Sequence, residues 1–220
     1  MKPSMNPSSL SALEERSRDL VANVKARLNA LCAEPVAHAR FLNMLSLMEH
    51  IGSRKIMLSM SEVAEPTLKH LAEETRHAYF FKRLAERLAR RRLGYEEPDT
   101  VAPASARAYM GRLDAAIRQS VSGGAPEVPY LYMSLIVELR AVWFYRLYQA
   151  ALDAAQTGIS LKSVLAEETL HLDAMLARLR ETDPDASRHL QDFAAIEDGQ
   201  FRALWRAVES DLKAERLAAE

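Results

Sequence analysis

An all-α fold is predicted by three features of the sequence. Glycine is scarce, at seven residues in 220, and charged residues make up 27% of a chain visibly rich in Ala, Leu, Arg and Glu, good helix formers. β-Branched residues form few runs of the kind that build strands. Apolar residues recur at three- and four-residue spacing between proline and glycine stops. The length suits one helical domain over residues 1–220, with 1–10 as a flexible tail and a bundle core from about 36 to 182.

Residues 1–9 hold Pro3, Pro7 and three serines, a composition for a loose tail. Ser11-x-x-Glu14 has the form of a capping box and opens a helix to about Ala33, with Leu13, Leu20, Val21, Val24, Leu28 and Leu31 on its apolar face. After Pro35 a first bundle helix is expected from about Val36 to Met60. Pro66 suits the first turn of a second, which runs to about Leu93 and stops at Gly94. Its basic end, Lys82, Arg83, Arg87, Arg90, Arg91 and Arg92, reads as a solvated face that complements the helix dipole.

Residues 94–103 read as a linker, and about 104–122 as a short helix closed by Gly123-Gly124-Ala125-Pro126. A third bundle helix starts near Val128 and ends in the 150s. Gly158 marks a turn before a fourth, about Ser160 to Arg180. Asp183-Pro184 opens a last helix with Phe193, Ile196, Phe201, Leu204, Trp205, Val208 and Leu212 as its apolar stripe, broken at Asp198-Gly199. That helix either folds on the bundle or serves as the arm of a homodimer.

A net charge of −1 gives no reason to expect nucleic acid or an anionic membrane as partner. The single cysteine, Cys32, excludes a disulfide framework or a Cys-built metal site within the chain and reads as a packed thiol. The first residues lack the apolar core of a signal peptide, so the cytoplasm is the expected compartment. The most apolar stretch, about Leu131 to Leu152, carries Glu138, Arg140, Arg146 and Gln149, which suits a central bundle helix better than a membrane span.

The chemistry lies in a repeated pattern. Glu73-Glu74-Thr75-Arg76-His77 returns as Glu167-Glu168-Thr169-Leu170-His171. A Glu three residues before a His turns the helix by about 300° and rises about 4.5 Å, so a carboxylate and an imidazole leave one face. Upstream of each copy a single carboxylate, Glu49 or Glu138, stands in an apolar helical run. Burying such a group costs several kcal/mol (roughly 2–7 even for neutral polar groups) without a compensating partner. Four carboxylates match the charge of two divalent ions; without metal they would have to take up protons. Oxygen-rich donors with two imidazoles suit iron or manganese better than structural zinc.

The order Glu, Glu-x-x-His, Glu, Glu-x-x-His resembles that of ferritin-like di-iron carboxylate proteins, over about residues 36–182. The resemblance implies a ferritin-like four-helix bundle with a long crossover between its second and third helices, plus extra N-terminal, crossover and C-terminal helices. It implies that Glu49, Glu74 and His77 hold one metal, that Glu138, Glu168 and His171 hold the other, and that Glu74 and Glu168 bridge the two. Two Fe ions per chain are expected, with Mn/Fe or Mn as alternatives. The hairpin spacings differ, 25 residues between Glu49 and Glu74 against 30 between Glu138 and Glu168, so the halves form a pseudo-repeat.

Glu-Glu-Thr-Arg-His is similar to the Asp-Glu-x-Arg-His pattern of di-iron hydroxylases and desaturases, where the extra acid accepts the ligand His N–H. By that likeness Glu73 and Glu167 orient the imidazoles and Arg76 supports the network. Here the acid is Glu, and Leu170 stands in place of the second Arg. His70 lies on the stripe of Glu74 and His77 and is a candidate seventh ligand, at the offset of an extra ligand His in arylamine N-oxygenases. Tyr145, two turns after Glu138, is a candidate relay or pocket wall, with packing as its plainer role. His50 reads as a surface residue, and Met44, Met48, Met133 and Met175 as core filler.

The function expected from the resemblance is a non-haem di-iron oxygenase or oxidase acting on a small organic substrate with O₂ and an external electron donor. The extra helices and the aromatic residues around Glu138 favour it. A ferroxidase or peroxide-handling protein of ferritin or rubrerythrin type is the alternative, although bacterioferritin is shorter and rubrerythrin adds a Cys-rich iron site. A non-catalytic, metal-stabilised bundle is the third.

Overall fold

The computed structural model describes residues 7–59, 64–121 and 125–219, and all regular elements among them are helices. In order they are α1 (Pro7–Arg16), α2 (Val21–Cys32), α3 (Pro35–Ser59), α4 (Glu65–Ala89), α5 (Pro103–Ser120), α6 (Val128–Ala154), α7 (Lys162–Thr182) and α8 (Ala186–Ala219). The chain divides into two compact units, Ala30–Arg112 with Gly199–Glu220, and Met1–Asn29 with Leu113–Asp198. Met60 and the Gly123-Gly124 stop lie outside the described residues. No helix among the described residues is long and apolar enough to cross a membrane.

In the first of these units α3 and α4 pack along each other. Phe41, Leu42, Leu45 and Leu47 of α3 and Phe81 and Ala85 of α4 are buried there. The loop after α4 is tied back by Asn43, whose Nδ2 donates to Gly94 O (2.6 Å) and Thr100 Oγ1 (2.8 Å) and whose Oδ1 accepts from Lys82 Nζ (2.9 Å). Lys82 also lies over the Tyr95 ring, 4.2 Å from its centre. It is therefore a loop anchor, a correction to the expected solvated basic face. Helix α4 ends at Ala89, four residues before the expected stop, because Arg90 takes the left-handed conformation (φ 54°) that closes helices.

In the other unit α6 packs on α7 and α1. Arg140 of α6 is buried, and its Nε and Nη2 donate to Glu197 at 2.8 and 2.7 Å, with Asp198 at 3.2 Å. Its Nη1 donates to Ser17 Oγ at 2.8 Å. This network explains the first of three differences from the sequence reading. The expected single helix from Ser11 to Ala33 is split at Ser17, which serves Arg140 and is followed by a 3-10 turn, Arg18–Leu20. Helix α1 starts at Pro7, so Ser11 is inside it and not its cap. The expected break at Asp198-Gly199 is absent: α8 is continuous, since a helical Gly costs only about 1 kcal/mol and the buried residues either side hold it. Gly158 (φ 72°) does make the expected turn before α7.

His38 of α3 is 2% exposed, and burial holds its imidazole down at about 4. The fold selects the neutral ring, so the stabilisation is complete above the unfolded value near 6.5 and is lost as pH falls from there through 4. That loss is expected to be about 3 kcal/mol at about 1.36 kcal/mol per pKa unit. Urea unfolding of the wild type and His38→Gln at pH 7.5 and 4 measures it, and the variant is expected to show the smaller drop.

Candidate metal centre

Glu49 is half-buried on α3, and Glu74 and His77 are buried on α4. One donor atom from each of these three lies within 4.8 Å of the other two. Glu74 and His77 share a face because they are three residues apart on α4, and that face is turned inward with Ala78, Phe81 and Ala85. His70, one turn earlier, is 5% exposed and belongs to the same stripe.

The distances here are informative. Glu74 Oε1 is 3.6 Å from His70 Nε2 and 3.8 Å from His77 Nδ1. Both separations are too long for a hydrogen bond. They suit donors that share an ion: two atoms each about 2.0–2.2 Å from a metal lie about 3.3–3.8 Å apart when the angle between them is near 110–120°. Glu74 Oε1 itself is buried without a hydrogen-bond partner among the described residues. A cation answers that need. The donor set of two carboxylates and imidazole fits iron or manganese.

The α6–α7 hairpin repeats the arrangement within its own unit. Glu138 of α6 and Glu168 of α7 are 4% and 1% exposed, and His171 of α7 is half-buried. His171 Nδ1 is 3.7 Å from Glu138 Oε2 and 3.9 Å from Glu168 Oε2. In both hairpins, then, Nδ1 of the histidine faces the carboxylate three residues before it at nearly the same distance.

The surrounding residues fall out unevenly. Glu73 is buried, with Lys69 Nζ at 3.6 Å, and Glu167 is half-buried. Arg76 and Leu170 are exposed. Tyr145 is buried beside Phe144, ring centres 6.1 Å apart. His50 is not a surface residue: it is half-buried and stacked on Tyr95 at 5.8 Å, and burial, then Arg54, lowers its pKa. Burial likewise pushes the half-buried Cys32 thiol up to about 11. Of the methionines read as filler, Met44, Met133 and Met175 are buried and Met48 is half-buried.

The sequence reading passed over Gly52. A Cβ there would lie 3.2 Å from Glu74 Oε2. The available signal was a glycine inside a helix, three residues after Glu49.

Comparison with known protein families, with curated proteins and with solved structures returned no match. What the chain itself provides is an all-helical fold with buried carboxylate and histidine groups at metal-binding distance.

Glu49 and Glu74 repel when both are ionised and no cation is bound, so the metal-free protein carries a cost. Glu74→Gln is expected to stabilise the metal-free protein by about 1–3 kcal/mol and to abolish the stabilisation that added Fe²⁺ or Mn²⁺ gives the wild type. Thermal melts with chelator and with excess metal read both effects.

Proposed function

We propose that the chain is a ferritin-like, non-haem di-iron oxygenase or oxidase whose centre is held by Glu49, Glu74 and His77 from α3 and α4 and by Glu138, Glu168 and His171 from α6 and α7. The observation that carries the reading is the recurrence in both hairpins of one carboxylate on the first helix and Glu-x-x-His on the second, with matching imidazole-to-carboxylate distances. Four carboxylates balance two divalent ions, and Fe/Fe, Mn/Fe or Mn loading is compatible with the donors. Two ferrous ions in this centre would supply the electrons that activate O₂, with an external donor restoring them.

The protein's own residues set the conditions for that chemistry. Glu74 and Glu168, each three residues before its histidine, would be the carboxylates shared by the two ions. His77 and His171 would offer Nδ1, the nitrogen that faces the carboxylate in each hairpin, and would then carry the ring proton on Nε2. His70 would supply a third imidazole, since its Nε2 stands 3.6 Å from the same oxygen of Glu74 that faces His77. Buried Tyr145, seven residues after Glu138 on α6, and Phe144 in ring contact with it give the Glu138 side of that helix an aromatic setting. That setting favours oxidation of an organic substrate over iron storage.

Protein prepared in iron-replete medium is expected to contain about two metal ions per chain. Glu74→Ala and Glu168→Ala are expected to lose both, Glu49→Ala to keep one, and His70→Ala to change the near-ultraviolet absorption of the oxidised protein. One zinc per chain, or no metal, sinks the reading. The reduced protein is expected to consume O₂ without building a mineral core; excess Fe²⁺ deposited as a soluble ferric core in a spherical oligomer decides for storage instead.

A further inference from the structure

We propose that Gly52 is the positioning residue for Glu74, a role that rests on the reading of Glu74 as a metal ligand. Gly52 lies inside the 25-residue helix α3, where glycine is less favourable than alanine. No positive φ requires it there. What does require it is the close approach of Glu74, whose Oε2 would lie 3.2 Å from an added Cβ, tighter than ordinary van der Waals contact. The next neighbour, Met110 Cε at 4.0 Å, is in ordinary contact and would tolerate the change.

The clearance decides how the carboxylate is presented. Oε2 rests toward α3 at Gly52, which leaves Oε1 aimed at the imidazoles of His70 and His77. A side chain at 52 would push the carboxylate away from α3 by a few tenths of an ångström. In the metal-free protein the acid can swing aside at little cost. In the loaded protein a bound metal would hold the carboxylate in place, so the same displacement would be resisted. The effect of an added methyl group is thus confined to metal binding.

The second hairpin lacks this device. The residue three after Glu138 is Ala141, where the residue three after Glu49 is Gly52. Four residues before Glu168 stands Val164, where His70 stands four before Glu74. Both departures from the pseudo-repeat therefore surround Glu74.

Gly52→Ala with a Co²⁺ titration tests the role, using the visible absorption of bound Co²⁺ as the probe of its coordination. The metal-free variant is expected to melt at or above the wild-type temperature, as helix propensity requires. Its Co²⁺ affinity is expected to fall by about 10-fold or more, with a shifted Co²⁺ spectrum, in the range seen when residues supporting a metal ligand are altered. Wild-type affinity and spectrum in the variant would overturn the role of Gly52 and leave the Glu74 reading intact. A wild type that binds no Co²⁺ would overturn both.

Discussion

The cost of burying carboxylates is the constraint that shapes this chain. Several buried or partly buried acids in the two units are matched by protein groups. Arg140 satisfies Glu197 and Asp198, and Arg40 bridges Asp211 and Glu215 at 2.7 and 2.6 Å. Burial alone would raise Asp183, but hydrogen bonds from Tyr132 and His189 outweigh it and hold the carboxyl below its ordinary range. Glu74 Oε1 departs from that pattern. It is buried between two imidazole nitrogens at distances that no hydrogen bond explains.

Helix α6 shows how the two solutions coexist on one element. Glu138 and Arg140 are two residues apart, about 200° around the helix, so they point to different sides. Had Arg140 faced the way Glu138 does, it could have neutralised that carboxylate directly. It is instead engaged by Glu197, Asp198 and Ser17. The 3-10 turn after α1 begins just past Ser17, and α8 continues through Gly199 without a break. The apolar remainder of α6 then serves packing, with Tyr132, Val142 and Tyr148 fully buried.

The helical class, the hairpin elements and the Glu-x-x-His repeat were legible because they are local: periodicity, proline and glycine stops, and a fixed three-residue offset. Helix ends were less so. Arg90 closes α4 in a left-handed conformation that sequence rules assign first to Gly94, and the decisive contacts come from Asn43 and Lys82, dozens of residues away or on another turn. Lys82 looked like one more member of a basic face because its carbonyl and amide partners are invisible in a linear reading. Ser17 and Asp198 were misread for the same reason, since both are committed to Arg140 across more than 50 residues. Gly52 could have been noticed, but its meaning lies in an oxygen atom on the neighbouring helix.

The proposed function draws its central claim from the pseudo-repeat: the two ligand sets would serve one coupled pair of ions. Electron paramagnetic resonance of the oxidised, iron-loaded protein tests it most directly, because two ferric ions held within one centre would couple antiferromagnetically and leave no net spin. The expected result is about two irons per chain with essentially no resonance from them. An isolated high-spin ferric signal that integrates to all the bound iron would contradict it.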